Sequence, residues 1–190
     1  MKAKDTALLI IDMQNDFVLE QAPLRVKGAL AVVDNIKTVL ENFRSNNLPI
    51  FHVVRVHRKD GCDVEITRRN VFTQKPFAVE GTKGAEIIEE LKPKENEYII
   101  KKIRMSAFFN TDLDSILRSL GIKNVVVAGI QTPNCIRTTA FDAIAYNYNT
   151  FLVEDAVGAQ NKQVHEANVL DMKNIGIKIV KTDQVKGILE

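Results

Sequence analysis

Cysteine is almost absent from this chain. Cys62 and Cys135 are its only two in 190 residues, too few for a disulfide framework at this length, and they fit the reducing cytoplasm. Neither has a CxxC partner, and the three histidines (His52, His57 and His165) form no metal-ligand spacing with them. Long apolar runs are missing as well: no stretch approaches the ~20 residues that a membrane span needs. The N-terminal Met1-Lys2-Ala3-Lys4-Asp5 leads straight into an apolar segment without a small-residue cleavage site, so no signal peptide is expected. There is no excess of one charge. The formal net charge is +2 and the basic residues are interleaved with acids, which argues against nucleic acid as a partner. Repeats, low-complexity tracts and linkers are also lacking, so residues 1–190 read as one globular domain; at 45% hydrophobic it has enough apolar residues for a full core.

What is present is an alternation of strand and helix patterns. Ala7 to Asp12 is a short apolar run ending in an acid. Leu30, Val33, Ile36, Leu40 and Phe43 recur at helical spacing, which predicts an amphipathic helix over 28–46. Ile50 to His57 reads as a second strand, and 58–82 as a polar, irregular loop whose length points to function or mobility. A short helix is expected around Gly84 to Leu91, then a strand at Glu97 to Lys102. Thr111 and Asp114 make a capping-box-like start for a helix with Leu113, Ile116, Leu117 and Leu120 on one face, ended by Gly121. A strand at Val125 to Ile130, a helix starting near Cys135, a strand at Thr150 to Glu154, a helix near Val164 to Asn174 and a strand at Ile177 to Val180 follow. The pattern predicts an α/β, three-layer Rossmann-like fold, with a six-stranded, mostly parallel sheet covered by helices on both faces.

In such sheets ligands bind beyond the carboxyl ends of the strands, where the strand order reverses. Asp12 ends the first strand, Lys102 ends the third and Cys135 follows the fourth, so all three are expected at one edge. The run Gly129-Ile130-Gln131-Thr132-Pro133-Asn134-Cys135 carries an apolar strand through a glycine to a Thr-Pro helix start. That start delivers the thiol to a first helical turn, beside N–H groups without intrahelical partners, where the helix dipole favours thiolate over thiol. An acid, a lysine and a cysteine are the parts of nucleophilic catalysis. Lys102 would stabilise the anion and Asp12 would take the thiol proton, while backbone N–H groups of Gln131 and Cys135 would hold an oxyanion. Each residue alone has a plainer reading, as a small buried hydrophobe, a turn cap or a solvated lysine.

Three motifs add to these residues. Leu8-Leu9-Ile10-Ile11-Asp12-Met13-Gln14-Asn15-Asp16-Phe17 resembles the opening motif of the isochorismatase-like cysteine hydrolases. Lys102-Ile103-Arg104-Met105-Ser106-Ala107-Phe108 with Thr111-Asp112-Leu113 resembles that family's second motif. Gly129 to Cys135 with Thr138-Thr139-Ala140, Asp142 and Ala143 resembles its nucleophile motif, and Glu154-Asp155-Ala156 and His165-Glu166-Ala167 also fall where the family has similar residues. The resemblance implies a catalytic triad of Asp12, Lys102 and Cys135, and a non-proline cis peptide at Ile130-Gln131 that aims the Gln131 N–H into the oxyanion hole. It also implies that Phe17 and Ile130 line the pocket. The partner would be a small-molecule substrate, and the protein a homo-oligomer, a dimer or tetramer.

The chain departs from some branches of that family. Enzymes that cleave the vinyl ether of isochorismate lack the cysteine, so Cys135 implies attack on an amide-like or ureido carbonyl. Nicotinamidases carry an Asp-x-His with further histidines that bind a divalent metal after the second strand. Here the region reads His52-Val53-Val54-Arg55-Val56-His57, so no catalytic metal and no other cofactor is expected. Arg55, Arg58, Arg68, Arg69 and Arg104 stand there instead. Arginine grips carboxylates at two points, which makes Arg55 a candidate for binding a substrate carboxylate; pairing of these arginines with Asp60, Asp63 and Glu65 is the simpler alternative. Cys62, between two acids, and His165 are left outside the site. Two other functions stay open, a nicotinamidase-type amidase and a catalytically silent, hydrolase-like binding subunit. A redox-sensing Cys135 has no resolving cysteine nearby in sequence.

Overall fold

The computed structural model describes residues 3–189; Met1 and Lys2, from the N-terminal segment read above, and Glu190 lie outside it. Six strands form one parallel sheet: β1 (Thr6–Ile11), β2 (Ile50–Arg55), β3 (Tyr98–Lys102), β4 (Asn124–Ile130), β5 (Asn149–Gly158) and β6 (Lys178–Val180), in the order β3-β2-β1-β4-β5-β6. Every residue of β1, β2 and β4 is buried, as the middle of a parallel sheet covered on both faces requires, including the polar His52 and Arg55 of β2. β3, at an edge, alternates exposed Ile99 and Lys101 with buried Ile100 and Lys102.

The pleat of β1 separates two cores. Leu8 and Ile10 point into one, where α2 (Val33–Ser45) lays down Ile36, Val39, Leu40 and Phe43. Ala7, Leu9 and Ile11 point into the other, filled by Leu113 and Leu117 of α4 (Leu113–Ser119), Ala140 and Ala143 of α5 (Arg137–Ala145), and Met172 of α6 (Lys162–Asn174). These are the three layers expected, with helices on both faces. Burying both faces is what fixes the register, with Ile11 level with Val53 on one side and Gly129 on the other.

Several elements differ from the sequence expectation. Residues 84–91 form no α-helix but two 3₁₀ turns, Lys83–Ala85 and Glu89–Leu91, because the backbone between them bonds elsewhere. Ile88 N–H donates to Met13 O and Asn15 N–H donates to Glu86 O, which ties this segment to the turn after β1. The loop over 58–82 contains a 3₁₀ turn at Ile66–Arg68 that runs into α3 (Arg69–Gln74). The expected capping box is absent: α4 starts one residue later, and Asp114 accepts instead from the Tyr148 hydroxyl at 2.7 Å and from Arg118 at 3.1 Å. Two short helices, α1 (Asn15–Val18) and α7 (Val185–Leu189), are too short to show a period in the sequence; Val185 and Leu189 of α7 join the α2 core.

Candidate active site

The strand order runs down from β3 to β1 and then up from β4 to β6, so it reverses between β1 and β4. The carboxyl ends of those two strands open the crevice in which an open α/β sheet binds its ligands. Asp12 follows β1 directly. Its φ of 55° is a left-handed conformation that a short polar residue tolerates, and it turns the chain so that Gln14 N–H donates back to Asp12 O at 2.8 Å. Next to it, Gly129 of β4 has φ 116°, and a Cβ there would lie 2.2 Å from Ile11 O. Only glycine lets the two strands approach this closely just before the site.

Past Ile130 the chain passes through a cis peptide to Gln131, as the resemblance implied. It then enters a wide turn over Thr132–Ile136, closed by Ile136 N–H donating to Gln131 O at 3.1 Å, and continues into α5. Cys135 lies within this wide turn, four residues into it. Thr132 braces the turn from outside: its hydroxyl lies 3.1 Å from Gly158 O and 2.9 Å from His165 Nδ1 of α6.

Asp12, Lys102 and Cys135 come together here. Lys102 Nζ donates to Asp12 Oδ2 at 2.8 Å, to Arg104 O at 3.1 Å and to Cys135 Sγ at 3.5 Å. Arg55, level with Lys102 across β2 and β3, adds a second cation whose Nη2 lies 3.7 Å from the same sulfur. Relative exposures of 4% for Asp12, 1% for Lys102, 1% for Arg55 and 5% for Cys135 mean that these charges meet with little water between them. Burial works against the charge of Arg55, but Cys135 once ionised, Asp12 and Glu65 outweigh it and raise its pKa, so it remains a guanidinium.

The thiol behaves differently from the expectation. Burial and then the Asp12 carboxylate push Cys135 up, and the pull of Lys102 and Arg55 in the other direction is smaller. The resting group is therefore a thiol. Cations and a helical turn alone do not ionise it, and its proton needs a base. Asp12 Oδ1 is buried and accepts no hydrogen bond from the described residues, so it is free to serve.

A narrow cleft of about 30 Å³ leads to the sulfur. Phe17, Val26 and Ile130 supply its apolar lining, and Arg68, Gln131 and Asn134 its polar lining. The Gln131 N–H has no acceptor among the described residues, which leaves it available to an oxyanion. A larger hollow of about 390 Å³ lies by the β3 edge, near Glu80, Ile87 and Ile99, but none of Asp12, Lys102 and Cys135 lines it, so size does not locate the chemistry here.

The arginines do not act as one group. Arg55 lines the cleft, yet its terminal nitrogens are engaged by Glu65 at 2.7 Å and by the sulfur, which leaves no two-point fork for a carboxylate. Arg58 stands 3.8 Å from Asp60, and Arg104 donates to Asp63 O. The residues that sequence reasoning passed over are those that hold the site in shape. Gln14 clamps the end of β2, accepting from Arg55 N–H at 2.7 Å and donating to Arg55 O at 2.8 Å; Asp16 accepts from Ala78 N–H at 2.7 Å. Their one signal was membership of the Asp12-to-Phe17 motif.

An isochorismatase domain model matches residues 6–184, nearly the whole chain. The chain belongs to the isochorismatase family. A relative from Arabidopsis thaliana, described as a "probable inactive nicotinamidase", is 46% identical over 92% of this chain and 91% of its own length. The maleamate amidohydrolase of Pseudomonas putida is 32% identical over 87% of this chain and 78% of its own. The crystal structure of an isochorismatase family protein from Desulfovibrio vulgaris superposes with a TM-score of 0.94 at 43% identity, covering 97% of this chain and 98% of that one.

The donor set does not fit the divalent metal of the family's nicotinamidases. Among the described residues no group of three His, Cys, Asp or Glu side chains is placed to hold an ion. At the end of β2 the chain presents the Arg55 guanidinium, which repels a dication. The His57 ring is buried, edge-on to Phe72 and Phe77. His52 is bonded to Glu97 at 2.7 Å. No helix among the described residues is long and apolar enough to cross a membrane.

Proposed function

We propose that this protein hydrolyses a small amide, ureido or carbamoyl compound through a thioester on Cys135, with Asp12 as general base and acid. The observation that carries this reading is the meeting of a buried thiol, an unbonded carboxylate oxygen and two cations within hydrogen-bond reach of the sulfur. Asp12 takes the thiol proton as Sγ attacks the carbonyl carbon. The developing oxyanion is held by the N–H groups of Gln131 and Cys135, and such donors are worth about 10²–10³ in rate each. Asp12 returns the proton to the departing amine or ammonia, and Lys102 and Arg55 hold the carboxylate and sulfur in place throughout. Water then attacks the thioester with Asp12 as base, and the acid leaves. Phe17 and Ile130 exclude bulk water from the carbonyl.

The name of the Arabidopsis relative favours a second reading, a silent subunit. The nicotinamidase metal donors are missing here while the thiol, acid and lysine are complete, so loss of nicotinamide turnover is compatible with hydrolysis of another amide. A panel of amides, ureido acids and carbamoyl amino acids, scored for ammonia release by the wild-type protein and by Cys135→Ala, tests the point. Turnover that disappears in the variant supports the thioester route. Equal turnover in both proteins ends it, and no turnover of any compound favours the silent subunit.

A further inference from the structure

The loop over the site carries Arg58, Arg68 and Arg69, which have different surroundings. Arg58 stands 3.8 Å from Asp60, and Arg69 donates to the carbonyls of Val64 and Cys62, each at 3.4 Å. Among the described residues, no acid or carbonyl accepts from Arg68. Glu65 feels its charge, but Glu65 is bonded to Arg55 instead. Arg68 lies on the 3₁₀ turn Ile66–Arg68 and lines the cleft that ends at Cys135. Gln131 and Asn134 line the same cleft, and their side-chain amides too make no hydrogen bond among the described residues. Three polar side chains without partners thus border one narrow space, and one of them is a cationic planar fork.

We infer that Arg68 is the anion-binding residue of the cleft, selecting compact substrates that carry a carboxylate beside the amide or ureido group. This rests on the hydrolase reading of Cys135 above. Arg55 and Lys102 are engaged by Glu65, Asp12 and the sulfur, so among the described residues that line the cleft Arg68 is the cation left with a free two-point donor for an incoming carboxylate. Gln131 and Asn134 offer amide N–H donors to the same anion. The apolar wall of Phe17, Val26 and Ile130 takes the short carbon skeleton between the two polar ends.

Alkylation tests the site without requiring turnover. In a Cys62→Ser background Cys135 is the remaining thiol, and iodoacetate and iodoacetamide present it with a carboxylate and an amide on the same reacting carbon. Arg68→Met is expected to slow iodoacetate about tenfold more than iodoacetamide, the cost of one hydrogen bond between charged groups. Arg68→Lys keeps the charge without the fork and is expected to restore only part of the difference. Equal slowing of both reagents, or full recovery in Arg68→Lys, would overturn the assignment. During turnover, the ratio of KM for N-carbamoylglycine to KM for its amide should rise about tenfold in Arg68→Met by the same interaction. If no amide of the panel is hydrolysed while the alkylation ratio still shifts, the hydrolase reading fails and the anion site stands. A thiol inert to both reagents removes both.

Discussion

Lys102 and Asp12 form a buried ion pair, Nζ to Oδ2 at 2.8 Å, between the ends of two strands that are not sheet neighbours. The lysine also reaches the sulfur at 3.5 Å, so a single ammonium fixes the distance between acid and nucleophile. Removing one partner leaves the other charge buried and alone, which costs about 3–5 kcal/mol. Lys102→Met is therefore expected to lose turnover and to be destabilised by that amount in urea denaturation. The double variant Lys102→Met/Asp12→Asn, with no orphaned charge, should be less destabilised than the sum of the single variants. Additive losses would show that the pair does not couple.

Cys135→Ala removes the nucleophile but little of the packing. It should abolish thioester formation, read by intact mass after mixing with a hydrolysed amide, while the urea midpoint moves by less than about 1 kcal/mol equivalent. A large loss of stability would mean that the sulfur is a structural part of the core.

The upward push on the thiol sets the pH dependence of its reactivity. Burial and Asp12 hold Cys135 above its ordinary range. Alkylation by iodoacetamide in the Cys62→Ser background should keep rising with pH beyond the point, near 8.5, where an ordinary thiol is half ionised. Replacing the acid removes one of the two upward pushes, so in Asp12→Asn the midpoint should move down. A midpoint below that of a free thiol in the unmodified site would contradict the resting state described here.

Asp12, Lys102 and Cys135 were legible in the sequence because each ends or follows an apolar run, and a parallel sheet brings such ends together by topology alone. Pairing of the arginines with Asp60, Asp63 and Glu65 was legible as the simpler alternative, but which arginine takes which acid was not. Arg55 pairs with Glu65, and Arg68 with no acid among the described residues; that choice depends on the path of a loop whose sequence has no period. Residues 84–91 misled for a related reason. Ile87, Ile88 and Leu91 have helical spacing, but the acceptor that decides their backbone is Met13 O, far away in the chain. Likewise the bond from Thr132 to His165 joins a turn and a helix that no local pattern connects.

Gly129 tests how tightly the fold holds the site. In Gly129→Ala the new Cβ meets Ile11 O at 2.2 Å, and φ 116° is hostile to any L side chain. Neither strand can yield without shifting Asp12 or the turn that carries Cys135. The variant should lose about 3 kcal/mol or more of stability, the range for strained or overpacked core sites. It should lose activity more steeply than the distant Gly176→Ala, where φ is 100° but nothing lies within 4 Å. Equal effects of the two variants would place the cost in backbone strain rather than in the β1–β4 contact.

The buried histidines make the fold sensitive to acid. Burial, and then Arg55, hold His57 below its ordinary value; burial does the same to His52, although Glu97 opposes it. In the unfolded chain both titrate near 6.5, so below that pH the unfolded state binds more protons than the native one. The stability contributed by neutral imidazoles is thus complete above about 6.5 and is lost as pH falls toward the lower folded values. Asp63 lies 3.3 Å from His57 Nδ1 but accepts from Arg58 N–H, and both ring nitrogens of His57 remain without a hydrogen bond. His57→Phe, packed among Phe72 and Phe77, should therefore be as stable as wild type at pH 7.5 and less acid-sensitive. Its slope of stability against pH between 5 and 6.5 should fall by up to about 1.4 kcal/mol per unit, one proton's worth. An unchanged slope in urea titrations across that range would show that His57 titrates alike in the native and unfolded states.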